Sequence, residues 1–213
     1  MKIYTKAGDE GKTFLLSGCR VDKNDPLVVS YGKVDTLVSF LGFAKSSLKK
    51  LDSNVFNEIV FNEIIDILDE IQVLCFKAMT DIASSPSKTN FKNKTNTKKT
   101  KAKDTGKIKY ERISLEDIKK IENHIDNLWA SMPPLKNFVI PGNDIYSSIL
   151  HICRSICREA EPFLTTANKK YNLNPFVLIF INRLSDLLFT LAVKVDYLIN
   201  GKLEIIKENK KIN

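Results

Sequence analysis

Four places in this 213-residue chain hold residues whose types and spacing suit chemistry. The first is Thr5-Lys6-Ala7-Gly8-Asp9-Glu10-Gly11-Lys12-Thr13. Two glycines permit a tight turn, and its N–H groups, with Lys6, Thr13 and Lys23, can hold phosphate oxygens. Gly-Lys-Thr here is not a P-loop, because that motif needs a glycine where Lys6 stands. An ordinary glycine-containing loop is the plain alternative. The second place is Arg154, Arg158 and Glu161, whose steps of four and three share one helical face. Guanidinium forks match phosphate and carboxylate oxygens; a solvated charged face is the alternative.

The third place is Asn182, Arg183, Ser185 and Asp186, inside the most apolar stretch of the chain. Asn182 and Asp186 share a face. Polar groups in a core-seeking helix must be paired or line a site, so the choice lies between a binding site and a structural polar layer. The fourth is Phe138-Val139-Ile140-Pro141-Gly142, an apolar stub with a Pro-Gly turn that can aim Phe138 into a cavity. Phenylalanine is more often simply a core residue.

Other chemistries fall away. His124 and His151 have no Glu three residues before them, so the di-iron Glu-x-x-His pattern is missing. Cys153 and Cys157 lack a second pair for zinc. Neither a Gly-x-Ser-x-Gly elbow nor a Gly-x-Gly-x-x-Gly fingerprint is present. The cysteines at 19, 75, 153 and 157 are too few and too irregular for a disulfide framework.

The elements that must position these residues read as helices. Residues 1–26 look irregular, and no alternating strand is expected. Val34, Leu37, Leu41 and Leu48 mark one helical face from about residue 27. Val60, Ile64, Ile67, Ile71, Leu74, Ala78 and Ile82 predict a second helix over 54–83. Ser114-Leu115-Glu116-Asp117 resembles a capping box and opens a third with Ile118, Ile121, Ile125 and Leu128; Met132-Pro133-Pro134 ends it. A fourth is expected from near Asp144 to about Thr166, with Ile149, Ile152 and Ile156 toward the core. A fifth starts at Asn174-Pro175. Its seam of Val177, Ile181, Leu184, Leu188, Leu191, Val195 and Leu198 suits a bundle. The expected fold is all-α, a five-helix bundle in one domain over 1–213, with a disordered Lys/Asn-rich insert at about 85–112.

Hydrophobic residues make up 43% of the chain, enough for a sizeable core. The net charge of +8 is local. Residues 88–109 hold nine Lys and one Asp, leaving 33 − 9 = 24 basic and 25 − 1 = 24 acidic residues elsewhere. The remainder has no net basic face to offer, so no nucleic-acid partner is expected. Pro175–Val193 carries Asn182, Arg183 and Asp186 near its middle, which suits a buried helix better than a membrane span. The opening MKIYTKAGDEGKT reads as no leader. A reducing, cytoplasmic location is expected, with a mitochondrial one left open.

In order along the chain, these motifs resemble the PduO-type cob(I)alamin adenosyltransferases. The family's Tyr-Thr-Lys-Thr-Gly-Asp-x-Gly is matched by Tyr4 to Gly11, and its Arg-Val-x-Lys by Arg20 to Lys23. Its Gly-x-x-Asp-Glu-Leu-Asn corresponds to Gly32 to Val38, and its Phe-x-x-Pro-Gly-Gly to Phe138 to Asn143. Its Leu-His-x-x-Arg-x-x-x-Arg-Arg-Ala-Glu-Arg corresponds to Leu150 to Pro162, and its Asn-Arg-Leu-Ser-Asp to Asn182 to Asp186. The resemblance implies a five-helix bundle forming a homotrimer with sites between subunits. It implies transfer of the 5′-deoxyadenosyl group of ATP to cob(I)alamin, with Mg²⁺ and release of triphosphate. By motif, Thr5, Lys6, Gly8, Thr13 and Lys23 would bind the ATP phosphates or support that loop. Arg158 and Asn182 would contact ATP, with Glu161 completing the pocket. Arg154 and Asp35 would pair across the subunit interface beside the corrinoid, and Phe138 would press on the corrin's lower face.

The chain departs from that pattern. Glu159 and Pro162 replace arginines, Thr36 and Val38 replace Glu and Asn, and Asn143 replaces Gly. A Glu at about 6 Å from a phosphate repels it by about 3 kcal/mol at an effective dielectric near 20. Pro162 is expected to kink its helix or end it early. Lys12 is a candidate to restore the lost charge. The alternative to an enzyme is a non-catalytic corrinoid-binding or scaffold relative with a degenerate ATP pocket.

Overall fold

The computed structural model of the protein describes residue 4 and residues 6–51, 57–85, 110–135 and 137–206. Thr5 and most of the expected Lys/Asn insert, residues 86–109, lie outside the described residues. Five helices dominate: α1 (Pro26–Leu48), α2 (Glu58–Ser84), α3 (Leu115–Ala130), α4 (Ile145–Tyr171) and α5 (Pro175–Asn200). Before them, β1 (Lys12–Phe14) and β2 (Arg20–Asp22) pair antiparallel with Thr13 opposite Val21. This hairpin was not expected. Three-residue strands are too short to display a period of two, and the Leu15 to Cys19 turn closes through backbone bonds the side chains do not announce.

Local chemistry sets where each helix begins. Asp25 accepts the Leu27 N–H at 3.0 Å, with Pro26 in the first turn where no donor is needed. Ser114 and Asp117 close a reciprocal capping box, as expected, Asp117 doing what Glu usually does. Asn174 caps α5 and Asp144 caps α4. α4 runs five residues past the expected end, to a left-handed cap at Asn172. Pro162 does not terminate it, because packing of both flanking segments outweighs the single helical hydrogen bond that proline cannot make.

The core is continuous along the helices. The expected seam residues Val177, Ile181, Leu184, Leu188, Leu191 and Val195 are all buried, as are Val34, Leu37, Leu41 and Leu48. Each such side chain contributes roughly 1.5–3 kcal/mol. α5 is long and apolar enough to cross a membrane by composition alone, as is α1. α5 spends its apolar positions against α4 and α3 instead. On α4 the inward face is Ile149, Leu150, Cys153, Cys157, Ala160 and Leu164; Ile152, expected inside, is exposed. Two cysteines took the core positions, and burial pushes the Cys75 and Cys153 thiols up to about 12 and Cys157 well above its ordinary value. These thiols pack rather than react.

Buried polar residues fasten the helices at their ends. Asp81 on α2 is wholly buried and accepts from Arg112 Nε (2.8 Å), the Ile113 N–H (3.1 Å) and Asn174 Nδ2 (2.7 Å). It thus ties α2 to the approach of α3 and the start of α5. Asp25 also accepts from Lys170 Nζ and the Tyr171 hydroxyl, both at 2.6 Å. Lys33 on α1 meets Glu159 on α4, so the two helices run antiparallel along the bundle's most extensive seam.

Candidate functional site

The N-terminal loop folds onto itself just before α1. The Asp9 and Gly11 N–H groups donate to the Lys6 and Gly8 carbonyls, and the Lys23 N–H donates to Gly11 at 2.8 Å. A Cβ on Gly8 would stand 3.2 Å from Lys23 Nζ and 3.4 Å from the Lys12 carbonyl, so glycine lets the Lys23 ammonium lie close against this turn without displacement. Lys6 sits at φ +60°. The loop therefore gathers Gly8, Lys23 and the start of β1, where Thr13 is half-buried. Lys12 instead pairs with Asp22 at 3.3 Å across the hairpin. It is engaged there, not at Glu159.

The middle of α4 presents Arg158 and Glu159 outward, with Glu161 half-buried beside them. Glu159 Oε2 accepts from Lys33 Nζ at 2.6 Å. Glu161 Oε1 is buried without a hydrogen-bond partner among the described residues. A buried carboxylate oxygen in that state favours an incoming donor. Cys157 Sγ donates to the Ile181 carbonyl at 3.3 Å, a crossing point of α4 and α5. It puts Arg158 and Asn182, each next in sequence to one of these residues, at the same level of the bundle. Arg183 turns the other way, donating to Glu122 on α3 (3.0 Å), Asp186 (3.2 Å) and Asn182 Oδ1 (3.3 Å). The polar residues of α5 thus serve partly as a structural layer against α3.

One turn earlier on α4 lies a cavity of about 640 Å³ with Phe138, Pro141, His151, Arg154 and Phe189 among its walls. Phe138 is 82% exposed at its rim, so it is not a core residue. Its backbone is clamped: Ile206 donates to the Phe138 carbonyl (3.0 Å), Ile140 donates to Glu204 (2.8 Å), and Val139 bridges Ile205. Asn143 fastens the following turn to α5 through Asp196 Oδ1 at 2.8 Å. The Arg154 guanidinium lies 5.6 Å from the centroid of Phe189. That ring also contacts His151 edge-on at 6.0 Å and Trp129 at 6.4 Å. Burial and then Arg154 hold the His151 imidazole below its ordinary pKa against the pull of Asp196 and Asp144. It is neutral near pH 7, and its Nε2 is buried without a partner among the described residues.

Within one chain the structure joins Gly8, Thr13 and Lys23 in the loop. It places Arg158, Glu161 and Asn182 at one level, and Phe138 with Arg154 at the cavity. Asp35 and Arg154 are not joined: Asp35 is exposed on α1 with no side-chain partner among the described residues. Sequence reasoning missed Lys33, His151, Phe189 and the 204–206 strap. His151 stood inside a motif already quoted and Phe189 three residues past another; the strap left no signal, because backbone pairing alone makes it. Other departures are absorbed locally: Thr36 Oγ1 donates to the Gly32 carbonyl at 3.0 Å, and Val38 is buried.

A cobalamin adenosyltransferase family model matches residues 3–195. A corrinoid adenosyltransferase of Citrobacter freundii is 35% identical over 191 residues, covering 90% of this chain and 93% of that one. One from Bacillus subtilis is 33% identical over 192 residues, covering 90% and 85%. Among solved structures, a variant PduO-type ATP:corrinoid adenosyltransferase from Lactobacillus reuteri, complexed with cobalamin and ATP, superposes with a TM-score of 0.77. The identity is 31%, covering 98% of this chain and 97% of that one.

Proposed function

The chain belongs to the cobalamin adenosyltransferase family, and on that premise we propose how its residues divide the reaction. The protein is an ATP:corrinoid adenosyltransferase. It transfers the 5′-deoxyadenosyl group of ATP to cob(I)alamin, giving adenosylcobalamin and triphosphate. The cobalt supplies an electron pair to carbon 5′, and the carbon–oxygen pair leaves with the triphosphate. Cobalt is the nucleophile, so the protein's work is to align the two substrates and stabilise the leaving group.

One observation carries the division of labour. Arg154 and Arg158 lie four residues apart on α4, about 6 Å along the axis. Arg154 lines an aromatic cavity, whereas Arg158 stands exposed beside Glu159 and the half-buried Glu161. Arg158, Glu161 and Asn182, with Lys6, Gly8, Thr13, Lys23 and Thr5, bind ATP. The unpartnered Glu161 oxygen is a ready acceptor for a nucleotide donor. Mg²⁺ would enter on the triphosphate of ATP, since it is commonly carried on phosphates. Phe138, anchored by the strap, faces the lower side of the corrin. Its ring excludes water from the axial position.

The homotrimer belongs to the same proposal. Asp35 lacks a side-chain partner among the described residues, and Arg154 offers its outer face, so pairing between subunits would complete the site. Cys19, Cys75, Cys153 and Cys157 are buried as thiols, which suits a reducing compartment such as the cytoplasm. Residues 1–213 are taken as one domain. The non-catalytic alternative loses its two main supports, since Lys33 neutralises Glu159 and α4 continues through Pro162.

Anaerobic mixing of the purified protein with ATP and chemically reduced cob(I)alamin tests this, followed by the corrin absorbance change and by triphosphate release. Equal amounts of adenosylcobalamin and triphosphate are expected. Corrinoid binding without product would overturn the catalytic reading.

A further inference from the structure

The Lys33–Glu159 pair is hard to account for as a stabilising contact. Its Nζ–Oε2 distance is 2.6 Å, yet the side chains are 37% and 57% exposed. Pairs so accessible are screened and contribute about 0–1 kcal/mol. The seam between α1 and α4 is already held by its apolar residues and by the Asp25–Lys170–Tyr171 cluster. The position of the pair is more telling. Glu159 follows Arg158 directly, and Lys33 lies eight residues, about 12 Å of helix, beyond the Asp25 cap that receives the Lys23 loop. The pair therefore lies beside Arg158, on the α1–α4 seam that leads back toward that loop. Beside it Gly32 leaves open space, since a Cβ there would meet nothing within 4 Å.

We infer that Lys33 is a triphosphate-binding residue of the ATP pocket, held ready by Glu159 and handed to the phosphates when the nucleotide enters. This rests on the adenosyltransferase reading of that pocket. In the free protein Glu159 keeps the long, flexible ammonium at the pocket edge. A triphosphate carries several negative charges against the single charge of Glu159, so it wins the competition for Nζ. The exchange needs no backbone movement, only a lysine rotamer. It also explains how Glu stands where the family has Arg: the cation has moved from α4 to α1, and the carboxylate has become its holder.

The roles predict opposite signs. Removing Lys33 deletes a phosphate ligand and leaves Glu159 facing the nucleotide. Removing the Glu159 charge frees Lys33 and lifts a repulsion. Calorimetric titration of MgATP into the full-length natural protein, Lys33→Met and Glu159→Gln reads this directly, with Tm recorded for each. Lys33→Met is expected to weaken MgATP about fivefold to tenfold, and Glu159→Gln to tighten it about threefold. Both changes should shrink at high salt, and corrinoid KM should stay unchanged. If both variants move affinity in the same direction, or neither moves it while Tm falls in both, the pair is a surface rivet and the inference is overturned. Failure of the natural protein to bind MgATP would overturn the reading of the pocket, and this inference with it. MgATP binding without turnover would instead retain the pocket and reject only the catalysis.

Discussion

The two ends of the α4 face are built on opposite physical principles. Around Arg154 the side chains are fixed by rings: Phe189 is wedged among Trp129, His151 and the guanidinium, and the Phe138 carbonyl is held by Ile206. Around Arg158 the groups are exposed charges on long stems, with one buried carboxylate oxygen awaiting a donor. A desolvated end gains electrostatic strength but tolerates little change. A wet, charged end is screened and can be rewired by any partner in reach. The charge-reversing departure from the family, Glu159, falls at the wet end, where Lys33 reaches it.

Both ends hang on one scaffold, and the largest expected effect comes from cutting it. Asp81→Ala leaves the buried Ile113 N–H and Arg112 Nε without their acceptor, and leaves Asn174 Nδ2 only the Ile113 carbonyl. Stability should fall by about 3 kcal/mol, measured by urea unfolding, and both substrates should lose affinity together. A loss confined to one substrate would show that the ends are not coupled through α2. Next come the arginines themselves. Arg158→Ala should cost about a hundredfold in kcat/KM for ATP with little change for the corrinoid, and Arg154→Ala the converse. Equal losses toward both substrates in each variant would break the division between the ends.

Pro162 tests how much helix strain the charged end carries. It cannot donate to the Arg158 carbonyl, so Pro162→Ala should stabilise the protein by about 2 kcal/mol and raise Tm. Unchanged Tm would mean that the helix has already relaxed around it. At the other end, Ile206→Pro removes the donor to the Phe138 carbonyl while leaving the helices alone. About a fivefold fall in kcat at unchanged ATP KM is expected if the strap orients the ring; unaltered kcat would make it a passive tail.

The smallest effect is a pH dependence. Burial raises the Asp25 pKa, but hydrogen bonds from Lys170, Tyr171 and Leu27 outweigh it and hold the carboxyl below its ordinary 3.8. The folded value is the lower one, so this stabilisation is complete above about pH 4. It is lost as pH falls further. Asp25→Asn keeps a helix cap but removes the charge. It should destabilise the protein at neutral pH by about 1 kcal/mol or less, lowering Tm slightly, and flatten the acid limb of the Tm curve.

Much of this was legible in the residues. Caps at Ser114 and Asn174, the apolar spacing of α1 and α5, and the Asn182–Asp186 and Leu150–Glu161 motifs are local, because helix periodicity and capping act within a few residues. The hairpin and the end of α4 were not. Strands of three residues show no period, and the cost of a proline is overruled only by packing from both sides. Nor was the choice of Cys153 over Ile152 for the core, since a small thiol and a branched side chain compete for one seam whose width other helices set.

The sequence by itself determined five helices, their order and the family, because these follow from spacing and side-chain chemistry. Tertiary structure alone decided the pairings. Lys33 faces Glu159 across 126 residues, Asp81 reaches Asn174, and Ile206 reaches Phe138. The physical reason is the same in each case. Contacts between distant segments depend on how whole helices pack, and packing sums many weak terms that no short stretch of sequence contains.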